Sequence, residues 1–143
     1  MVIIDASVIN KVFLPNEENH DTALEIIQKH LQKSEGILVP DLIFYEVANT
    51  LVTKTVIPEV KILKSLEQLD NFKLLVINPT IEELIKVAKF ASTYHVSVYD
   101  AVYAVLAVEK GCDLYTADSK FVKRVNLPFV KHLGDYSFSP KVN

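Results

Sequence analysis

A single cysteine, three glycines and six prolines stand among 143 residues, and each scarcity closes off a class of protein. One thiol, Cys112, can form neither an internal disulfide nor a cysteine-based metal cluster. Its setting, Gly111-Cys112-Asp113, reads as a small residue at a buried turn rather than a reactive thiol. Few glycines and prolines leave little room for a linker, and no stretch is low in complexity or repeated at a fixed period. No apolar run approaches the roughly 20 residues that span a bilayer. The strand-like Met1-Val2-Ile3-Ile4 opens the chain where a secreted precursor would carry a basic region and a cleavable apolar segment, so a cytoplasmic protein with no membrane contact is expected. An excess of positive charge is also lacking. Fifteen lysines and arginines face eighteen aspartates and glutamates, a net charge of -3, and composition alone does not advertise a nucleic-acid binder. The balance is uneven, however: Lys120, Lys123, Arg124 and Lys131 form a basic stretch, and a cation held by acidic residues would neutralise much of the negative charge.

What is present is one core's worth of chain. The length suits a single domain over residues 1-143, and 50% hydrophobic with 23% charged residues is ordinary for a globular protein. Apolar periodicity and turn residues predict a strand at 2–4, a helix at 6–13 stopped by Pro15, and a helix at 17–33. A strand at 37–39 leads into a helix from Pro40-Asp41 to Leu51, with Asp41 as its cap. Pro58 opens the next helix, followed by a strand at 73–77 and a helix from Pro79-Thr80 to Tyr94. Ser97 caps a helix that ends at Gly111. A strand at 114–116, a helix at 119–124 and a strand at 129–131 complete the chain. Strands alternate with helices, and their apolar runs do not alternate in polarity. Both features argue for a mainly parallel five-stranded sheet covered on both faces, a three-layer α/β/α sandwich.

In such a sheet ligands bind outside the carboxyl ends of the strands, and that is where four acids fall. Asp5 closes the first strand and Asp118 follows the fourth by two residues. Glu46 lies in the second turn of the helix leaving the second strand, and Asp100 in the first turn of the helix that feeds the fourth. Two carboxylates about 4 Å apart repel by roughly 4 kcal/mol at an effective dielectric near 20, so several together take up protons or a cation. Carboxylate oxygens suit Mg²⁺ or Mn²⁺, which keep waters able to act as nucleophiles, and two such ions can clamp a phosphodiester for in-line displacement. Each acid also has a structural reading. Asp5 and Asp118 can cap the helices that follow them, and Asp100 stands three residues after Ser97, close to a capping box. Glu46 resists such a reading. It sits on a mostly apolar helix, where an unpaired buried charge costs several kcal/mol, and it forms a narrow polar stripe with Asn49 and Thr53.

Ser7 and Thr116, beside Asp5 and Asp118, can orient a ligand water or make a local cap bond. His20, His30, His95 and His132 share no metal spacing and read as surface or capping residues. The aromatics Phe44, Tyr45, Tyr99 and Tyr103 can stack on bases, but packing in the core or a dimer is the simpler role.

The strings I-I-D-A-S at 3-7, E-V-A-N-T-L at 46-51, Y-D-A-V-Y-A-V-L-A at 99-107 and T-A-D-S-K-F at 116-121, in this order and over nearly the whole chain, resemble the PIN-domain ribonucleases. The likeness is greatest to the single-domain VapC-type toxins of prokaryotic toxin-antitoxin pairs. The resemblance implies a metal-dependent endoribonuclease whose acids correspond to Asp5, Glu46, Asp100 and Asp118, leaving 5'-phosphate and 3'-hydroxyl ends. It also implies a homodimer and inhibition by a small antitoxin protein. Some members carry a further acid where this chain has Ser119 and Lys120, which leaves one or two ions open. Other readings are an RNA-processing PIN nuclease without antitoxin, a catalytically silent PIN-like binding module, and a phosphoacceptor receiver domain. Receivers have adjacent acids after the first strand and an aspartate ending the third; Asp5 has no acidic neighbour, and the third strand here runs into Ile77-Asn78.

Overall fold

A computed structural model describes residues 1–138 of the chain; the last five residues of the expected 1-143 unit lie outside the described residues. Five strands, β1 (Val2–Ile4), β2 (Ile37–Val39), β3 (Leu75–Val76), β4 (Leu114–Thr116) and β5 (Val130–His132), form one sheet in the order β3-β2-β1-β4-β5. Every neighbouring pair is parallel. All residues of β1, β2 and β4 are buried. Successive strand residues point to opposite faces, so both faces are covered. The helices that cover them are α1 (Ala6–Phe13), α2 (His20–Leu31), α3 (Leu42–Thr53), α4 (Glu59–Asn71), α5 (Ile81–Tyr94), α6 (Val98–Lys110) and α7 (Ser119–Val125). This is the expected α/β/α sandwich.

Parallel strands need crossovers, and these decide where a site can form. From β1 the chain moves outward through β2 to the edge at β3, then returns to the other side of β1 for β4 and β5. The reversal leaves a crevice between the carboxyl ends of β1 and β4, the usual ligand position in an open α/β sheet. The central register, Ile3 opposite Leu114 and Ile4 opposite Tyr115, sets Asp5 beside Thr116. Ile3, Ile4, Ile9, Ile37, Val39 and Leu114 are fully buried beneath this crevice. A second apolar cluster joins Val87 and Ala91 of α5 to Ala101, Val102 and Val105 of α6.

Local chemistry explains most boundaries. Thr80 and Ser97 cap α5 and α6 through their hydroxyls, at 3.2 and 3.0 Å from the amides of Glu83 and Asp100. Gly111 ends α6 at φ 62°, where a side chain is disfavoured. Four expectations need correction. The second helix begins at His20, not Glu17, because turns Leu14–Glu17 and Glu17–His20 and a left-handed Asn19 (φ 63°) use up that segment. Asp41 makes no side-chain cap; instead its amide donates to Asn78 Oδ1 at 3.0 Å. The third strand shrinks to Leu75–Val76, an edge pair 46% and 47% exposed, because Lys73 is left-handed at φ 52°. The fifth strand sits one residue later than read.

Candidate active site

The first acidic turn grows directly out of β1. Asp5 occupies the N-cap of α1, and its Oδ1 accepts from the Ser7 amide at 3.0 Å and also from the Ser7 hydroxyl. Asp118 does the same for α7, its Oδ1 accepting from the amides of Lys120 and Phe121 at 3.0 and 3.1 Å. The capping reading of both acids is therefore correct. It does not compete with a ligand role, because a cap engages one carboxylate oxygen and fixes the direction of the other.

The two turns are stitched to each other. Ser7 Oγ accepts from the amide of Ala117 at 2.8 Å and lies 3.3 Å from Thr116 Oγ1. Thr116 Oγ1 in turn accepts from the Asp118 amide at 3.1 Å. Thr116 is fully buried, and these bonds satisfy a hydroxyl that would otherwise be costly at that depth.

Glu46 and Asp100 complete the crevice wall. Burial raises the Glu46 carboxyl, the charge of Asp100 adds to the rise, and a hydrogen bond from Tyr103 opposes it. Asp100 is likewise raised, by burial first and then by the charge of Asp118, against the bond from its Ser97 cap. Asp5 is pushed up to about 6: burial dominates, and Asp100 and Glu46 add their charges, while Ser7 and Thr116 partly offset them. Charge thus links Asp5, Glu46 and Asp100 to one another, and Asp118 acts on Asp100. Among the described residues, however, no three His, Cys, Asp or Glu side chains stand close enough as placed to form a ready-made ligand set. Asn49 is not drawn in. It and Thr53 are exposed, so the polar stripe below Glu46 faces solvent, and Thr53 Oγ1 donates to the backbone carbonyl of Asn49 at 2.7 Å.

Tyr103 is the residue that sequence reasoning missed. Core packing, the simpler role expected for it, is what it has at 2% exposure, but the expectation did not include its hydroxyl donating to Glu46 Oε1 at 2.6 Å. Burial beside Glu46 drives the phenol far up, so it remains a donor. The available signal was its position one helical turn after Asp100, on the same face. Tyr45 and Tyr99 are exposed, at 71% and 61%. Replacing Tyr103 by Phe is expected to cost about 1.5–3 kcal/mol, the range for a hydrogen bond to a charged group. It should also move the acidic limb of a pH–activity profile upward, since Glu46 loses the bond that holds its carboxyl down; an unchanged profile would refute this role.

A parallel sheet in the order 3-2-1-4-5, with capped acids at its switch point, is the arrangement of a PIN domain, and the chain belongs to the PIN domain family, whose profile matches residues 2–126. It is similar to Ribonuclease VapC3 from Pyrobaculum aerophilum, with 29% identity over 127 residues, 86% of this chain and 93% of that protein. Among solved structures, PAE2754 from Pyrobaculum aerophilum aligns with a TM-score of 0.68 at 20% identity, over 93% of this chain and 89% of its own. VapC20 of Mycobacterium tuberculosis, described as a sarcin-ricin loop cleaving toxin, aligns at 0.68 with 12% identity, over 91% and 97%. At these identities the structural matches establish the fold. No helix among the described residues is long and apolar enough to cross a membrane.

Proposed function

We propose that this chain is a divalent-metal-dependent endoribonuclease, the toxin of a toxin-antitoxin pair. Asp5, Asp100 and Asp118 would hold the cation, and Glu46 would serve a second ion or a ligand water. The observation that supports this reading is the mutual charge influence of Asp5, Glu46 and Asp100 at the switch point, with Asp118 acting on Asp100 and the Asp5 carboxyl pushed up to about 6. The donor set is all hard oxygen, which fits Mg²⁺ or Mn²⁺ and not a soft metal. When bound, such a cation supplies Lewis acidity toward a phosphoryl oxygen and acidifies a water it carries.

The chain's own part is partial preorganisation. Asp5 and Asp118 are each held through one oxygen by backbone amides and Glu46 by Tyr103, which limits the side-chain adjustment needed to gather around a cation. No covalent protein nucleophile is needed. Ribonuclease VapC3 and the sarcin-ricin loop cleaving toxin support RNA as substrate, and unpaired RNA presents bases that a groove can read. The reading includes a homodimer in the cytoplasm and a small antitoxin, which should co-purify when expressed from a neighbouring open reading frame.

The test is cleavage of single-stranded RNA with Mg²⁺ or Mn²⁺, expected to stop with a chelator and to fall by about 10²-fold or more in Asp100→Asn. Cleavage by the variant at the wild-type rate would defeat the assignment.

A further inference from the structure

A groove of about 580 Å³ opens beside Ser7 and Asp118, between α1, the end of α3 and the segment that follows it. Its volume lies within the roughly 300–1,000 Å³ of small-molecule sites. Leu14 and Ile57 give it an apolar floor, and Thr50 a hydroxyl. Two lysines line it. Lys11 is tied to Glu17 at 2.7 Å, whereas Lys54, at the C-terminal end of α3, is exposed and has no ion pair among the described residues. Asp118 and Glu17 belong to the same lining.

The combination is matched to one kind of ligand. A nucleotide has flat faces that favour apolar contact and an anionic linkage that favours a lysine. A chain with net charge -3 and an acidic crevice repels a polyanion over much of its surface, so attraction must come from cations placed beside the crevice. Lys54 is such a cation, and its charge is not already spent on an internal partner. Resting on the ribonuclease reading, we propose that this groove is the subsite for the nucleotide next to the bond that is cut. The base lies on Leu14 and Ile57, and the adjoining phosphate meets Lys54 Nζ. Lys54 is then a binding residue that fixes where the strand lies relative to Asp118, and it takes no part in bond cleavage.

The test measures binding apart from cleavage. Fluorescence anisotropy of the full chain with a labelled single-stranded RNA oligomer, in Ca²⁺ and across a salt series, compares wild type with Lys54→Glu, Lys54→Gln and Lys110→Glu. Lys110 ends α6 at the opposite edge of the sheet, so Lys110→Glu carries the same charge change far from the groove. Circular dichroism confirms that each variant is folded. Lys54→Glu is expected to weaken binding about tenfold or more, and Lys54→Gln to make the salt dependence shallower by about one released counterion. Lys110→Glu should stay within about twofold. Equal losses in Lys54→Glu and Lys110→Glu, or no RNA binding by wild type, would overturn the subsite. Lys54-dependent binding without cleavage in Mn²⁺ would sink the ribonuclease reading alone, while cleavage with Lys54-independent binding would sink only the subsite.

Discussion

Asp5→Asn is expected to lose about a thousandfold in metal-dependent RNA cleavage while raising the thermal midpoint in metal-free buffer at neutral pH. Loss of activity with gain of stability is the mark of a residue kept for chemistry. Asparagine retains an oxygen to accept from the Ser7 amide, so the cap of α1 survives the change. What disappears is a half-buried negative charge that Asp100 and Glu46 act on. Raising a carboxyl from 3.8 to about 6 corresponds to a cost of up to about 3 kcal/mol for holding it ionised at neutral pH. Relief of even part of that cost should raise the midpoint by several degrees in a chain of this length. Calorimetry and an RNA cleavage assay on the same preparation decide the matter: an active variant, or one that melts earlier than wild type without metal, would contradict this account.

The second large effect is the exchange of protons for metal. Below about pH 4 Asp5 is protonated in both folded and unfolded chains and carries no electrostatic penalty. Between 3.8 and about 6 the folded state binds the extra proton, so stability falls as pH rises through that window and stays low above it. Glu46 and Asp100 are raised in the same direction and deepen the fall. A divalent cation should reverse it. Mn²⁺ at a hundred times its dissociation constant stabilises the folded state by about 2.7 kcal/mol. Near pH 5 protons compete for the same oxygens and the gain should shrink. Thermal scans from pH 4 to 8, with Mn²⁺ and with chelator, are expected to diverge above about pH 6. Superimposable curves would remove the basis for a metal site.

The acids at 5 and 118 were legible in the sequence because their place follows from two local facts: an apolar run ends, and a helix begins one or two residues later. The same positional logic located Glu46 and Asp100, the helix start at Pro79-Thr80 and the cap at Ser97. Tyr103 was not legible in this way. Its sequence neighbours give it an apolar helix face, but whether its hydroxyl meets water or Glu46 depends on how α6 seats against α3, a tertiary outcome. Asp41 shows the reverse error. It has the right residue type at the right place for a cap, yet its backbone is already helical (φ -62°, ψ -21°) and its side chain makes no cap bond. At 17–19, Glu-Glu-Asn looks like a helix start by composition, but two consecutive turns claim those residues first. The groove at Lys54 was invisible because its walls come from three distant segments, residues 7–17, 50–57 and 117–118, that converge only in the folded chain.

The bond from the Ala117 amide to Ser7 Oγ spans 110 residues of sequence. A nascent polypeptide that has not yet released β4 from the ribosome therefore has no crevice at all, however well its first half is folded. Loop closure of that length is the entropically expensive step of assembly, so catalytic competence should arrive as one of the last events of folding. The slow protection of the Ala117 amide from hydrogen exchange would time it.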